Sequence, residues 1–276
     1  MSDDASWMSV EQEHAPAGID VSKPSIARVY DAILKGKDNF AADRAVAEMA
    51  HRAFPDGGEA AFINRRMLGR AVRYMANQGV DQFLDLGSGL PTVQNTHQIA
   101  QAVNPKARVV YVDNDPVVLA HGRALLAENE YTTVITADLR EPDLILANPE
   151  ITSFFDQSRP VGLIMNAVIH HVPDEEDPRG IIDTYKQRIA PGSYLLLTHF
   201  SNSSPEARAL EAVLLRTLGR GQLRTREEIT GFFDGLEIVD PGIVYLPLWR
   251  PDGPVPENLD ISGLLYAGGV GRKPSG

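Results

Sequence analysis

The chain contains no cysteine, which excludes disulfide staples, thiolate metal sites and a cysteine nucleophile without fixing the compartment. An excess of positive charge is missing too. Lysine and arginine number 26 against 37 aspartates and glutamates, a formal net charge of −11. The overall field therefore opposes a general phosphate-binding surface, and no nucleic-acid partner is expected. No stretch approaches the ~18 uninterrupted apolar residues of a membrane span. The opening MSDDASWMSVEQEH carries acids and no basic region leading into an apolar run, so neither a secretory leader nor a membrane partner is expected, and a cytoplasmic protein is.

The remaining composition, 43% hydrophobic and 23% charged over 276 residues, is ordinary for a globular chain and sufficient for one large core. Residues 1–22 are polar and acidic and read as a mobile tail; residues 23–276 read as a single domain, with a helical cover over 23–79 and an α/β core over 80–276. In the cover, Pro24 suits a first helical position and Ile26, Val29, Tyr30, Ile33 and Leu34 recur at helical spacing up to Gly36. Further helices are expected over roughly Ala41–Ala53 and Glu59–Gln78.

From Gln82 onward, strands and helices alternate. Near-continuous apolar runs at Gln82–Leu86, Arg108–Val112, Thr132–Ile135, Val161–Met165 and Ser193–Thr198 read as strands buried on both faces. Helical patterns fall near Thr92–Val103, Pro116–Glu128 and Gly180–Ile189, with Asp115-Pro116 as a cap followed by a first-turn proline. The pattern predicts a Rossmann-like parallel sheet with helices on both faces. Beyond it, Pro205–Leu218 and Thr225–Phe233 look helical, and Leu236–Val239, Ile243–Leu246 and Ile261–Ala267 suggest edge strands, the last two as a hairpin across WRPDGPVPEN.

The most informative stretch is QFLDLGSGLPT, residues 82–92. A strand ends at Leu86, the chain turns through Gly87-Ser88-Gly89, and a helix is expected near Pro91. Glycines let the backbone turn tightly and approach a ligand, and the turn amides can donate to a polar group. The next strand ends in YVDNDP, placing Asp113 where an acid can accept both hydroxyls of an adenosine ribose. The third is followed by ADLREP, putting Asp138 and Leu139 beside the expected adenine. A dinucleotide fingerprint wants Gly or Ala three residues after the second glycine, and Thr92 stands there. Asp85 would repel a pyrophosphate yet suits the amino group of an amino-acid tail. These points favour S-adenosylmethionine over NAD, with an NAD-dependent oxidoreductase and a non-catalytic cofactor-binding module as the rival readings.

LDLGSG, YVDNDP, ADL and NAVIHH are similar to the successive cofactor motifs of class I methyltransferases. PSIARVYDAILKGKDNFAADR and YAGGVGRK resemble, more particularly, a bacterial S-adenosylmethionine methyltransferase family long catalogued as a domain of unknown function. The resemblance runs from Pro24 to Lys273. It implies a seven-stranded sheet with an antiparallel last strand, cofactor binding through Gly87, Ser88, Gly89, Asp113 and Asp138, and no particular acceptor. Asp85, Asn114, Leu139, Asn166, Tyr30 and Asn39 complete the expected cofactor set.

Methyl transfer to an alcohol or phenol requires alignment and removal of a proton. IHHVPDEED is similar to the HDWSDE-type segment of small-molecule O-methyltransferases, which makes His170 the candidate base. The competing reading is that His170 and His171 shape the turn. The acids Asp174–Asp177 are consecutive and cannot converge on one ion; they read as a solvated helix start, and no metal is expected. Tyr30 or Phe40 is expected near the sulfonium, since aromatic faces attract such cations. Arg65 or Arg66 can pair with a carboxylate. Arg216, Arg220, Arg224 and Arg226 read as a solvated basic face, while His199, Tyr245 and Trp249 are candidates to wall an acceptor pocket. The sum is methylation of a small molecule at oxygen or nitrogen.

Overall fold

The computed structural model describes residues 20–91, 94–126 and 129–275. Most of the expected tail, and Thr92, on which the cofactor choice partly turned, lie outside the described residues. Three helices come first: α1 (Ile26–Ile33), α2 (Ala41–Ala53) and α3 (Gly57–Asn77). Ser25 caps α1 by accepting from the Arg28 amide, which satisfies one of the four unpaired donors at the helix start.

The sheet then builds by alternation: β1 (Gln82–Leu86), α4 (Thr96–Val103), β2 (Arg108–Asp113), α5 (Pro116–Leu126) and β3 (Thr132–Thr136). Two short helices, α6 (Pro142–Leu146) and α7 (Pro149–Phe154), lead to β4 (Gly162–Asn166), α8 (Pro178–Arg188) and β5 (Tyr194–Phe200). The remainder is α9 (Pro205–Leu218), α10 (Arg226–Gly231), β6 (Glu237–Ile238), β7 (Val244–Tyr245), α11 (Ile261–Leu264) and β8 (Tyr266–Arg272).

The strand order is β3-β2-β1-β4-β5-β8-β6, with β7 also on β8. The first five strands are mutually parallel and β8 runs antiparallel to β5. β6 pairs with Gly271 and Arg272, β7 with Ala267 and Gly268, so two short strands share one edge of β8 and eight strands fill seven positions. Alternate residues feed two apolar layers. Phe83, Val109, Ile164 and Leu196 meet Met67, Ala71 and Met75 of α3 on one face. Leu84, Val110, Leu163 and Leu195 meet Ile181, Ile182 and Tyr185 of α8 on the other. Burial on both faces is what the uninterrupted apolar runs encode.

Two local expectations are revised, and two short helices are added. α4 begins at Thr96, with Asn95 and Gln98 forming its capping box, so the turn after β1 is a longer loop. α6 and α7 are too short to show a helical period, although each carries a proline in its first turn. The stretch Ile261–Leu264 is helical, and the strand paired with β7 starts only at Tyr266.

Candidate functional site

The carboxyl ends of β1, β2 and β3 open onto one cavity of about 600 Å3, lined by Gly87, Ser88, Gly89, Asp113, Asn114, Asp138 and Leu139. Such a crevice at the strand ends is where open α/β sheets bind ligands. Gly87 has φ +68°, and a Cβ there would collide with Val168 of the loop after β4, so the turn needs a residue without a side chain. The Gly87 and Ser88 amides donate to the Val112 carbonyl at 2.8 and 3.2 Å, stitching the turn to the end of β2. The Gly89 amide donates to Asp113 Oδ2 at 2.8 Å and the Asp115 amide to Oδ1 at 2.9 Å. Burial pushes the Asp113 carboxyl above its ordinary value despite these amides. The carboxylate is thus held in position with lone pairs still facing the cavity. Ser88 Oγ is buried without a partner among the described residues, a polar group awaiting a ligand. These features fit a ribose-bearing cofactor.

At β3 the picture is more constrained. Arg140 grips Asp138 with contacts of 2.9 and 3.0 Å from Nε, which holds the Asp138 carboxyl below its ordinary value. Arg140 continues to Glu176 (2.9 Å), and Arg220 reaches Glu176 at 2.8 and 2.7 Å and the His171 carbonyl at 3.0 Å. This ionic chain joins loops after β3, β4 and α9. Glu176 is pulled down to about 2, chiefly by Arg220. The Leu139 carbonyl is taken by the Tyr185 hydroxyl at 2.9 Å.

The cavity is roofed by α1 and flanked by Arg65 of α3. Arg28 is buried and pairs with Asp43 at 2.9 Å and with Asp115 at 3.7 Å, while the Ser25 hydroxyl also bonds Asp115. The helical segment is therefore bolted to the β2 rim. The following loop is tied to Asp31, whose Oδ2 accepts from the Asp38 amide (2.9 Å) and Asn39 Nδ2 (2.8 Å); a Cβ on Gly36 would run into that carboxylate. Arg65 donates to the Gln94 carbonyl at 3.0 Å, and Arg66 is exposed on Glu59, so Arg65 is the arginine at the cavity.

Asn166, His170, His171, Phe200 and Tyr266 line the far end of the cavity. The His170 ring stacks on Phe200 at 3.9 Å and lies 4.2 Å from His171. It is 2% exposed, and its Nδ1, like that of His171, has no partner among the described residues. Desolvation lowers His170 well below the ordinary imidazole value, and His171 and the neighbouring His199 fall to about 3. His170 is thus neutral and able to accept a proton, though of weakened basicity.

Other expected residues sit elsewhere. Asp85 lies beneath the turn, bonded by Thr96 Oγ1 at 2.6 Å and raised by burial to about 6. Asn39 spends its amide on Asp31 and the Gly36 carbonyl and does not line the cavity. Phe40 packs on Arg28, leaving Tyr30 as the aromatic of the pair at the cavity. Trp249 is fully buried, with its ring 5.9 Å from Tyr74, and His199 is held by Arg224 (2.7 Å) and the Phe200 carbonyl (2.8 Å); neither reaches the cavity. The basic face is only partly one: Arg216 and Arg226 are exposed, but Arg224 is buried on Asp174 and Arg220 turns to Glu176, so Asp174 and Glu176 are ion-pair partners as well as helix-start acids. Arg28, Asp43, Asp115 and Arg140 were not singled out for the site; Asp115 was read only as a helix cap, and the other three carry no sequence signal that separates them from solvated charges.

A family model described as S-adenosyl methyltransferase matches residues 12–274. A protein from Thermobifida fusca YX, described as a candidate methyltransferase, is 49% identical, with 94% of this chain and 98% of that one covered at a TM-score of 0.91. A DUF574 family protein from Streptomyces avermitilis MA-4680 is 38% identical over 92% of this chain and 99% of that one, with a TM-score of 0.88. No curated protein matches significantly.

Proposed function

Since the chain belongs to the S-adenosyl methyltransferase family, and is thereby an S-adenosylmethionine-dependent methyltransferase, we propose that its acceptor is a small molecule methylated at oxygen or nitrogen, with oxygen favoured. The observation that supports this is the single cavity onto which three adjacent strand ends, Arg65 and His170 all open. In this reading the Gly87–Gly89 turn and Asp113 hold the ribose, with Ser88 Oγ and Asn114 beside them. Asp138 and Leu139 border the adenine, and Arg65 faces the methionyl carboxylate. Asp85 acts indirectly, fixing the loop through Thr96.

When bound, S-adenosylmethionine supplies an electrophilic methyl group on a positively charged sulfur. Tyr30 offers its π face to that charge. Asn166 and Tyr30 orient the acceptor, and an in-line approach is set by the wall of Phe200 and Tyr266. The neutral His170 imidazole takes the acceptor's proton as the new bond forms. The NAD reading gives way to the family, and hydride transfer with it.

Calorimetry with S-adenosylhomocysteine tests the assignment. The protein should bind it, and Asp113→Ala should weaken binding by about tenfold or more through loss of charge-assisted hydrogen bonds. Equal affinity in the variant would remove Asp113 from the site, and no binding by the unsubstituted protein would overturn the reading.

A further inference from the structure

A second cavity of about 610 Å3 adjoins the first, lined by α1, α2, the start of α3, α9 and the β5 and β8 ends. The two share Tyr30, Ile33, Phe200, Leu214 and Tyr266 but none of the cofactor-strand ends. Its inner surface is apolar, made by Ala47, Ala50, Phe54, Leu210 and Leu265 among others. Charges appear only at the exposed rim, with Lys35 and Arg44 against Glu48, Asp56 and Glu59. Mixed signs at the rim and none inside select an uncharged body. The volume lies within the ~300–1,000 Å3 usual for small-molecule sites.

The shared wall is aromatic. Phe200 and Tyr266 lie 4.7 Å apart at 34°, with His170 3.9 Å from Phe200 and 6.4 Å from Tyr266. These rings pack on one another, so Phe200 and Tyr266 offer the chamber their remaining edges and outer surfaces, which a flat aromatic partner meets edge-to-face. We propose that the second cavity is the acceptor chamber and that the acceptor is a planar, largely apolar phenol, its ring held between α2 and α9 and its hydroxyl passed beside Tyr30, Phe200 and Tyr266 toward His170. The proposal rests on the first cavity's being the cofactor site. The phenol oxygen bonds the methyl carbon as the carbon–sulfur bond breaks onto sulfur, and the hydroxyl proton leaves to His170 and then to water, so charge and atoms balance.

The test uses β-naphthol, whose own fluorescence reports binding, and the full chain saturated with S-adenosylhomocysteine. The unsubstituted protein should bind β-naphthol. Ala47→Trp, filling the chamber from a half-exposed position of α2, should weaken that binding by about tenfold or more by steric exclusion, with affinity for S-adenosylhomocysteine and the melting temperature unchanged. Ala47→Leu provides the graded version should the larger ring disturb folding, and should give an intermediate loss. Equal binding in both variants, expulsion of β-naphthol by S-adenosylhomocysteine, or no β-naphthol binding at all would overturn the proposal. Failure of S-adenosylhomocysteine itself to bind would instead strike the cofactor reading.

Discussion

His170 sits among other rings rather than among acids. Phe200, His171 and His199 surround it, and no carboxylate raises its basicity. Its neutral form therefore persists through mildly acid solution, and the rate should show no protonation limb near neutrality. His170→Ala should leave S-adenosylhomocysteine binding intact and slow methylation of the best acceptor in a phenol panel about a hundredfold. Normal turnover would give the ring a packing role. At this scale the sequence was a guide to the place of Gly87, Asp113 and His170 at one cavity, because each lies at or just after the end of a strand that is easily read. It was a poor guide to Asn39 and Trp249: polar and aromatic types say nothing of direction, and both are used to fasten loops and helices.

The five parallel strands lie within two residues of where their apolar runs put them, since burial on both faces keeps the strand centres apolar while polar residues such as Arg108, Asp113 and Asn166 fall at their ends. The helical segment before them was legible as a signature but not as a mechanism. Arg28, Asp31 and Asp43, buried at 4%, 4% and 0% exposure, look from the sequence like an ordinary solvated helix. The bolt they make is an ion pair at 2.9 Å with a second acid, Asp115, within reach. Arg28→Met should cost about 3–5 kcal/mol in urea unfolding, because two buried carboxylates lose their counter-charge. It should also weaken S-adenosylhomocysteine, since Asp115 is two residues from Asp113 and donates its amide to that carboxylate. A stability change within error would mean that the α1–α2 contact is held by packing alone.

Over the whole molecule, the buried His170 and His199 and the half-buried His171, all neutral, make stability depend on pH. Free in the unfolded chain they titrate near 6.5, while His171 and His199 in the folded chain do so at about 3 and His170 is lowered too. Between those limits the unfolded state binds more protons, so unfolding becomes easier as pH falls from about 6.5 toward 3. Glu176, with a folded value of about 2, adds to the same decline below its ordinary 4.5. Denaturant midpoints taken across that range should fall steadily in the unsubstituted protein and less steeply in His171→Gln; identical slopes would discount the imidazole. The sheet order was foreseeable as a type and the runs holding β6 and β7 were read as strands, but not that both would share one edge of β8, because runs this short do not specify their partner.

The Arg28 bolt has a bearing on traffic. The roof of the first cavity is pinned to the very rim that positions the ribose acceptor, so the doorway cannot swing as an independent flap. A change that loosens the roof is therefore expected to slacken the hold on Asp113 as well, because Asp115 belongs to both contacts.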